Sequence, residues 1–145
     1  MKTKNIPIIF LASKFVANAN QIIMLELKKH GISDISPSYG DIFHLLFDGK
    51  TMPMAQIAKQ IHKTKATTSV LIDKLENLGY LTRQKCKKDG RVFYIKLTQK
   101  GENLKPITQQ ISENLNKALY SNFSEFELKA LEILLKKALK NSKIS

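Results

Sequence analysis

A change of hydrophobic period near residue 80 most constrains how this chain can fold. Apolar residues recur at helical spacing from Met54 to His62 and again from Lys65 to Leu78. After Gly79 the period falls to two, which is the spacing of a half-buried strand. The pattern therefore predicts two helices followed by two short strands, Tyr80–Lys85 and Phe93–Leu97, joined by a tight loop.

The residues between these elements indicate how they connect. Thr64 is a suitable N-cap for the second helix, and Gly79 stands where the end of a helix favours glycine. The resulting order is helix, short turn, helix, strand, loop, strand, which is that of a helix-turn-helix followed by a wing. The wing loop carries Lys87, Lys88 and Arg91, so it suits contact with phosphates better than burial in a core.

The charge distribution indicates the kind of partner. The formal net charge is +12, and the segment from Lys50 to Lys100 contains twelve basic and three acidic residues. This excess coincides with the predicted winged helix, as attraction to nucleic acid requires. The alternative is a lysine-rich solvated surface without a partner. A length of 145 residues with 43% hydrophobic residues is typical of one folded domain with its own core.

Helices are also predicted on both sides of the winged helix. The first runs from about Pro7 to Lys29 and ends at Gly31, and a second runs from a Ser36 cap to about Phe47. Met52 is expected to add a short edge strand to the wing. The elements after the wing are a long helix capped by Thr98, kinked or restarted at Pro106, and a last helix that begins in a capping box at Ser124.

The first and last helices carry more apolar residues than one stripe can hold. A helix that is apolar on more than one face needs more than one partner surface. One surface is the core of the same subunit, and the other is most simply a second subunit.

The stretch QIAKQIHKTKATTSVLIDKLENLGYLTRQKCKKDGRVFYIKLTQKGENL resembles the DNA-binding core of the MarR-type regulators, the multiple-antibiotic-resistance repressors. The strongest matches are Leu75 with Gly79 and Leu81, the Asp89-Gly90-Arg91 wing tip, and Leu97-Thr98 with Gly101. The resemblance implies a mainly α fold with a small β-hairpin, in one domain over residues 1–145. A winged helix-turn-helix lobe at 36–100 would be flanked by helical dimerisation regions at 5–31 and 101–145.

The function implied by this resemblance is sequence-specific regulation of transcription. We expect a cytoplasmic homodimer that represses from a pseudo-palindromic operator in double-stranded DNA, with release by a small aromatic effector. Two alternatives stay open. One is a winged-helix protein-interaction module that serves as an anti-repressor or assembly partner, and the other is a non-specific architectural DNA binder.

The candidate DNA contacts follow from a helical wheel and from the wing. A helix in the major groove reads bases with its amino-terminal turns. The wheel directs Thr68 to the core. The resemblance implies that Arg91 enters the minor groove and that Asp89 orients it. The candidate contact residues are Thr64, Lys65, Ala66, Thr67, Ser69, Val70, Lys74, Lys85, Lys87, Lys88, Asp89 and Arg91.

Candidate sensing residues are fewer. An effector pocket between the dimer helices and the DNA-binding lobe would use Phe15, Tyr39, Phe43 and His44, although ordinary core packing explains the same residues. The single cysteine, Cys86, lies among basic residues, a setting that suits a redox-active thiol, yet an inert strand cysteine is the favoured interpretation.

Other function classes lack their residue patterns. The three histidines have no metal-ligand spacing, and no nucleophile–base pair or phosphate loop occurs, so neither an enzyme nor a cofactor is expected. The start Met1–Lys4 followed by Ile6–Ala12 resembles a weak secretory signal, but Lys14 interrupts it and the helical pattern continues. We expect no signal peptide and no run long enough to span a bilayer.

Overall fold

The computed structural model describes residues 6–143, so the predicted basic start at Met1–Lys4 lies outside the described residues. The described chain forms seven α-helices, one 3₁₀ turn and three strands. They are α1 (Ile8–Lys29), the 3₁₀ turn (Pro37–Tyr39), α2 (Gly40–Leu46), β1 (Met52–Pro53), α3 (Met54–Gln60), α4 (Lys65–Asn77), β2 (Leu81–Lys85), β3 (Phe93–Leu97), α5 (Gln99–Glu102), α6 (Lys105–Tyr120) and α7 (Glu125–Asn141).

The predicted mainly α fold with a small β-hairpin is confirmed. Strands β2 and β3 pair antiparallel from Leu81 opposite Leu97 to Lys85 opposite Phe93. The predicted edge strand at Met52 is also present, because β1 pairs with β3 through Met52 opposite Ile95. The sheet order is therefore β1-β3-β2, with the wing loop between its second and third members.

Two predicted helix starts are wrong in detail. Ser36 makes no cap to the backbone, because its hydroxyl is hydrogen-bonded to the Ser38 hydroxyl at 2.8 Å and the first turn is 3₁₀. Thr98 caps only a four-residue helix, α5, before the chain restarts as α6. The restart at Pro106 was predicted, and its missing N–H falls in the first turn of α6, where no intrahelical partner exists.

The chain divides into two compact units, one ending at Ile111 and one beginning at Ser112. The core of the first unit is a continuous apolar cluster drawn from α1, α2, α3, α4, the first part of α6, β2 and β3, together with loop residues beside them. Its fully buried members are Ile42, Phe43, Leu46, Ile57, Ile72, Leu75, Leu81 and Ile95. This core holds α3, α4 and the sheet together, and thereby sets where the exposed face of α4 and the wing lie.

The second unit contains the end of α6 and the whole of α7. Ser124 forms the predicted capping box, since its hydroxyl accepts from the Glu127 N–H at 3.1 Å and the Glu127 carboxylate accepts from the Ser124 N–H at 3.0 Å. Hydrogen bonding of the Glu127 carboxylate to the Ser124 backbone N–H, and secondarily to the Ser124 side chain, lowers the pKa of Glu127. A groove of about 640 Å³ between the two helices is lined by Tyr120, Leu128, Leu131 and Leu135.

Helix α1 leaves much of its apolar surface uncovered within the first unit. Ile9 is 83% exposed, and Phe10, Leu11 and Val16 are more than half exposed. The expectation that no run could span a bilayer is wrong by length and composition, because this 22-residue helix has a mean hydropathy of 1.5 in its most apolar window. The single charge of Lys14 does not lower the mean hydropathy of its apolar neighbours enough to exclude a spanning helix. Signal sequences and packed helices of soluble proteins meet the same criterion.

Candidate nucleic-acid interface

The start of α4 is held by a cluster of threonines. The Thr64 hydroxyl oxygen accepts a hydrogen bond from the Thr67 N–H at 3.1 Å, which confirms the predicted cap. The same hydroxyl donates to the Thr67 hydroxyl at 3.0 Å. Thr68 turns inward as predicted, is fully buried, and donates to the Thr64 carbonyl at 2.8 Å. The cap thus leaves Thr67 exposed in a defined position on the first turn.

The outward face of α4 contains most of the candidate contact residues of this helix. Val70 is 67% exposed, Ser69 is half-buried, and Lys65, Ala66 and Thr67 are exposed. Lys74 is also exposed, but its ammonium lies 5.7 Å from the centroid of the Tyr39 ring. Lys74 is therefore directed toward the start of α2, while the amino-terminal turns carry the accessible polar and apolar groups.

The wing loop exposes one arginine, Arg91, whose position is restricted by contacts with Asp89. The Asp89 carboxylate accepts from the Arg91 N–H at 3.0 Å and lies 3.7 Å from the Arg91 Nε. The Asp89 carbonyl also accepts from the Val92 N–H at 3.0 Å, which closes the turn. The Arg91 side chain is 96% exposed, and Lys85, Lys87 and Lys88 are exposed around it. The end of β2 and the wing loop therefore present four cations to solvent, and one of them, Arg91, is oriented by a carboxylate.

Arg83 connects the wing to α4, which the sequence analysis did not anticipate. It lies on β2, and its guanidinium binds the Asp73 carboxylate while its Nε lies 3.6 Å from the Glu76 carboxylate. A usable signal was present in the sequence. Strand alternation puts Arg83 on the same face as the core residue Leu81, where an arginine needs an acidic partner.

Comparison with known proteins agrees with this geometry. The model of the MarR family matches residues 35–93. The chain is 31% identical over 113 residues to the uncharacterized HTH-type transcriptional regulator YkoM of Bacillus subtilis, covering 78% of this chain and 71% of that protein. The chain belongs to the MarR family. Members of this family are transcriptional regulators, which places the chain outside the enzymes.

Solved MarR structures share the fold over nearly the whole chain. A cysteine-to-serine mutant of MarR from Escherichia coli, complexed with operator DNA, superposes with a TM-score of 0.82 at 21% identity, covering 92% of this chain and 94% of that one. The transcriptional regulator SlyA superposes with a TM-score of 0.82 at 23% identity, covering 94% of each chain. The winged helix and the flanking helices are therefore those of the MarR fold.

A second connection missed by the sequence analysis supports the end of α4 in this MarR chain. The Lys100 ammonium donates to the Leu78 carbonyl at 2.7 Å. Leu78 lies at the carboxyl end of α4, where the negative end of the helix dipole stabilises a cation. It also lies 4.3 Å from the centroid of the Tyr80 ring, whose hydroxyl donates to Asp34 at 2.8 Å. Burial and the neighbouring Asp34 raise the pKa of Tyr80 to about 12, so the phenol stays a donor at physiological pH.

The candidate sensing residues differ in their burial. Tyr39 and Phe43 are buried in the core, and Phe43 packs against the rings of Phe47 and Tyr80. His44 is exposed with its ring edge-on to Phe47, and Phe15 is 40% exposed on α1. A cavity of about 440 Å³ lies elsewhere in the first unit, lined by residues that include Asp34, Tyr80, Lys100 and Ile107. None of the four candidates lines this cavity.

Cys86 lies at the start of the wing loop. It is half-buried, and its N–H donates to the Val92 carbonyl at 2.9 Å. Its predicted inertness stays a prediction. Within residues 6–143, no group of three or more histidine, cysteine or acidic side chains is arranged to hold a metal ion.

Proposed function

We propose that this MarR-family chain is a sequence-specific repressor that binds a pseudo-palindromic operator as a homodimer. The observation that carries the proposal is that the first turns of α4 and the Arg91 wing are both exposed within the most basic third of the chain. The same fold is complexed with operator DNA in the Escherichia coli MarR mutant, which supports the assignment.

In this proposal α4 reads the major groove. Lys65, Thr67 and Ser69 supply polar contacts to bases or phosphates, and Ala66 and Val70 meet thymine methyl groups. The exposure of Val70 supports this role, because a large apolar side chain that remains in water gains most from contact with a methyl group. Thr64 holds the helix start, and Lys74 contributes charge at the margin.

We propose that the wing lies along the DNA backbone next to the site of α4, with its tip in the minor groove. Arg91 enters the groove, where a narrow minor groove concentrates negative potential, and Asp89 restricts the poses of its guanidinium. Lys85, Lys87 and Lys88 neutralise phosphates. Such contacts strengthen binding and its salt dependence without distinguishing one sequence from another.

The proposal of a homodimer rests on the apolar surface that each unit leaves exposed. In α7, Phe126, Ile133, Leu134 and Leu139 are more than half exposed, and α1 has a similar set in the other unit. Large apolar patches that remain exposed are rare on monomeric proteins. A twofold dimer would cover them and present two copies of α4 to half-sites about 34 Å apart.

A small aromatic effector and a cytoplasmic location complete the proposal. Release requires that an effector bind the DNA-free conformation more tightly than the DNA-bound one. Phe15 and His44 are the accessible members of the candidate set, with Tyr39 and Phe43 behind them in the core. A cytoplasmic location is proposed because a regulator of transcription must reach the chromosome.

Binding to the DNA upstream of its own gene tests the proposed function. We expect that region to bind at least about a thousandfold more tightly than a random duplex at physiological salt. Titration of both duplexes by fluorescence anisotropy at two salt concentrations measures this ratio. Equal affinity for the two duplexes would instead identify an architectural binder. Absence of binding to any duplex at low salt would identify a protein-interaction module.

Replacing Leu134 by aspartate is expected to weaken the dimer. The exposed leucine would lie in the subunit interface, so a carboxylate there should raise the dimer dissociation constant by about tenfold or more. Light scattering after size-exclusion chromatography over a concentration series measures the change. Lys136→Asp, which introduces the same carboxylate on the polar face of α7 beside Glu132, is the control and should remain dimeric. A Leu134→Asp protein as dimeric as the control would exclude this face from the interface.

A further inference from the structure

The connection between β2 and α4 is made by one arginine with two acidic partners. Asp73 and Glu76 are three residues apart on α4, so their carboxylates lie on neighbouring parts of one helix face. The Arg83 Nη2 donates to Asp73, and the Arg83 Nε lies 3.6 Å from Glu76. We refer to Arg83, Asp73 and Glu76 together as the Arg83 bridge. It connects α4, the proposed recognition helix, to β2, the strand that leads into the wing.

The position of Arg83 on the sheet keeps its guanidinium at the edge of the core. Leu81 precedes it on the same face and is buried, and Ile95 stands opposite it in the register and is fully buried. The Arg83 side chain is only 24% exposed, and its Nε is shielded from solvent without a hydrogen bond. This guanidinium is thus committed to the two carboxylates and is poorly placed to bind a phosphate.

We propose that Arg83 is a positioning residue that sets the angle between α4 and the wing, so that both can bind DNA together. The inference rests on the proposed DNA-binding function. Strand β2 continues for two residues past Arg83, roughly 7 Å, before the wing loop begins. A small tilt at Arg83 is therefore amplified at Arg91, where a displacement of about 1 Å would move the guanidinium out of contact.

Arginine is required at this position for a geometric reason. A planar guanidinium can engage two separate carboxylates at once, whereas the lysine ammonium is a compact point charge on a flexible stem. The Asp73 and Glu76 side chains remain 58% and 40% exposed, and ion pairs whose carboxylates are in contact with solvent contribute little to folding stability. Losing one of the two contacts should therefore leave the protein folded. The bridge also offsets one of the two negative charges on this part of α4, and so reduces their repulsion of nearby phosphates.

A double-mutant cycle between Arg83 and Arg91 tests the proposal. Arg83→Lys, Arg91→Ala and the double variant are titrated with the operator duplex of the parent at one salt concentration, and their Tm values are recorded. We expect Arg83→Lys to weaken binding about tenfold in the parent and less than about twofold in the Arg91→Ala background. The second loss is smaller because the contact that Arg83 positions is already gone. Its Tm should stay within about 2 °C of the parent.

The controls separate positioning from other roles. Lys96→Arg, the reverse exchange on neighbouring β3, should leave affinity unchanged. Parent-like binding by Arg83→Lys, equal losses in both backgrounds, or a fall in Tm that accounts for the lost affinity would each overturn the inference. If the parent binds no duplex, the proposed function fails and this inference fails with it. If the parent binds its operator but Arg83→Lys gives one of these contrary results, only this inference fails.

Discussion

Replacing Arg91 by alanine is expected to reduce operator affinity by about a hundredfold or more. One specific groove contact is worth about 1–3 kcal/mol, and a homodimer loses two of them. The structure supports this site because Arg91 is 96% exposed at the wing tip and is oriented by Asp89. Exposure on this scale also means that the substitution removes little packing, so the Tm should not change.

The measurement is an operator titration by anisotropy across a salt series, with Lys87→Ala as the matched control on the same loop. Lys87→Ala removes a phosphate contact, so it should lower the salt slope by about one for each subunit and weaken all sequences alike. Arg91→Ala should instead weaken the operator more than a random duplex, because the narrow groove that attracts arginine depends on sequence. Operator binding by Arg91→Ala at parental strength would refute the proposed role of the wing.

Replacing Gly101 by alanine is expected to destabilise the first unit by about 3 kcal/mol or more. A Cβ atom at this position would stand 2.2 Å from the Tyr80 carbonyl oxygen and 3.1 Å from Leu97 Cδ2. The carbonyl cannot move freely, since it accepts from the Thr98 N–H at 3.0 Å. The close approach of α5 to the start of β2 therefore excludes any side chain at residue 101.

Thermal unfolding followed by circular dichroism measures this effect, and we expect the Tm to fall by roughly 10 °C. Gly40→Ala is the control. Gly40 has right-handed helical backbone angles, with φ −55° and ψ −41°, and no heavy atom lies within 4 Å of an added Cβ. Alanine there should be neutral or slightly stabilising. If the two variants melt together, the contact between Gly101 and the Tyr80 carbonyl does not limit the fold.

The parts of the fold that were predicted correctly depend on short stretches of sequence. The limits of α4 follow from the Thr64 cap and Gly79, and the hairpin follows from the two-residue period of β3. The restart at Pro106 follows from the missing N–H of proline. Each of these signals acts within one turn or one strand, so it can be identified without knowing what lies across the core.

Most of the parts that were missed depend on contacts between different elements of the fold. The Arg83 bridge joins positions ten and seven residues apart through the packing of β2 on α4, and Lys100 meets the Leu78 carbonyl across 22 residues. The predicted Ser36 cap is absent because the Ser36 hydroxyl is hydrogen-bonded to the Ser38 hydroxyl and not to the backbone. Helix-cap propensity does not account for such a competing neighbour. Tyr39 and Phe43 are core residues, which agrees with the core-packing interpretation of these two aromatic residues.

The amino-acid sequence by itself determined the order of the elements, the basic wing and the residues on the outward face of α4. Local hydrogen bonding and hydrophobic period specify these features. Only the tertiary structure decided which cations remain exposed and which are committed to carboxylates, as Arg91 and Arg83 are respectively. The physical reason is that the environment of a charged side chain is set by the groups packed around it, and only the packing of one element on another decides which groups those are.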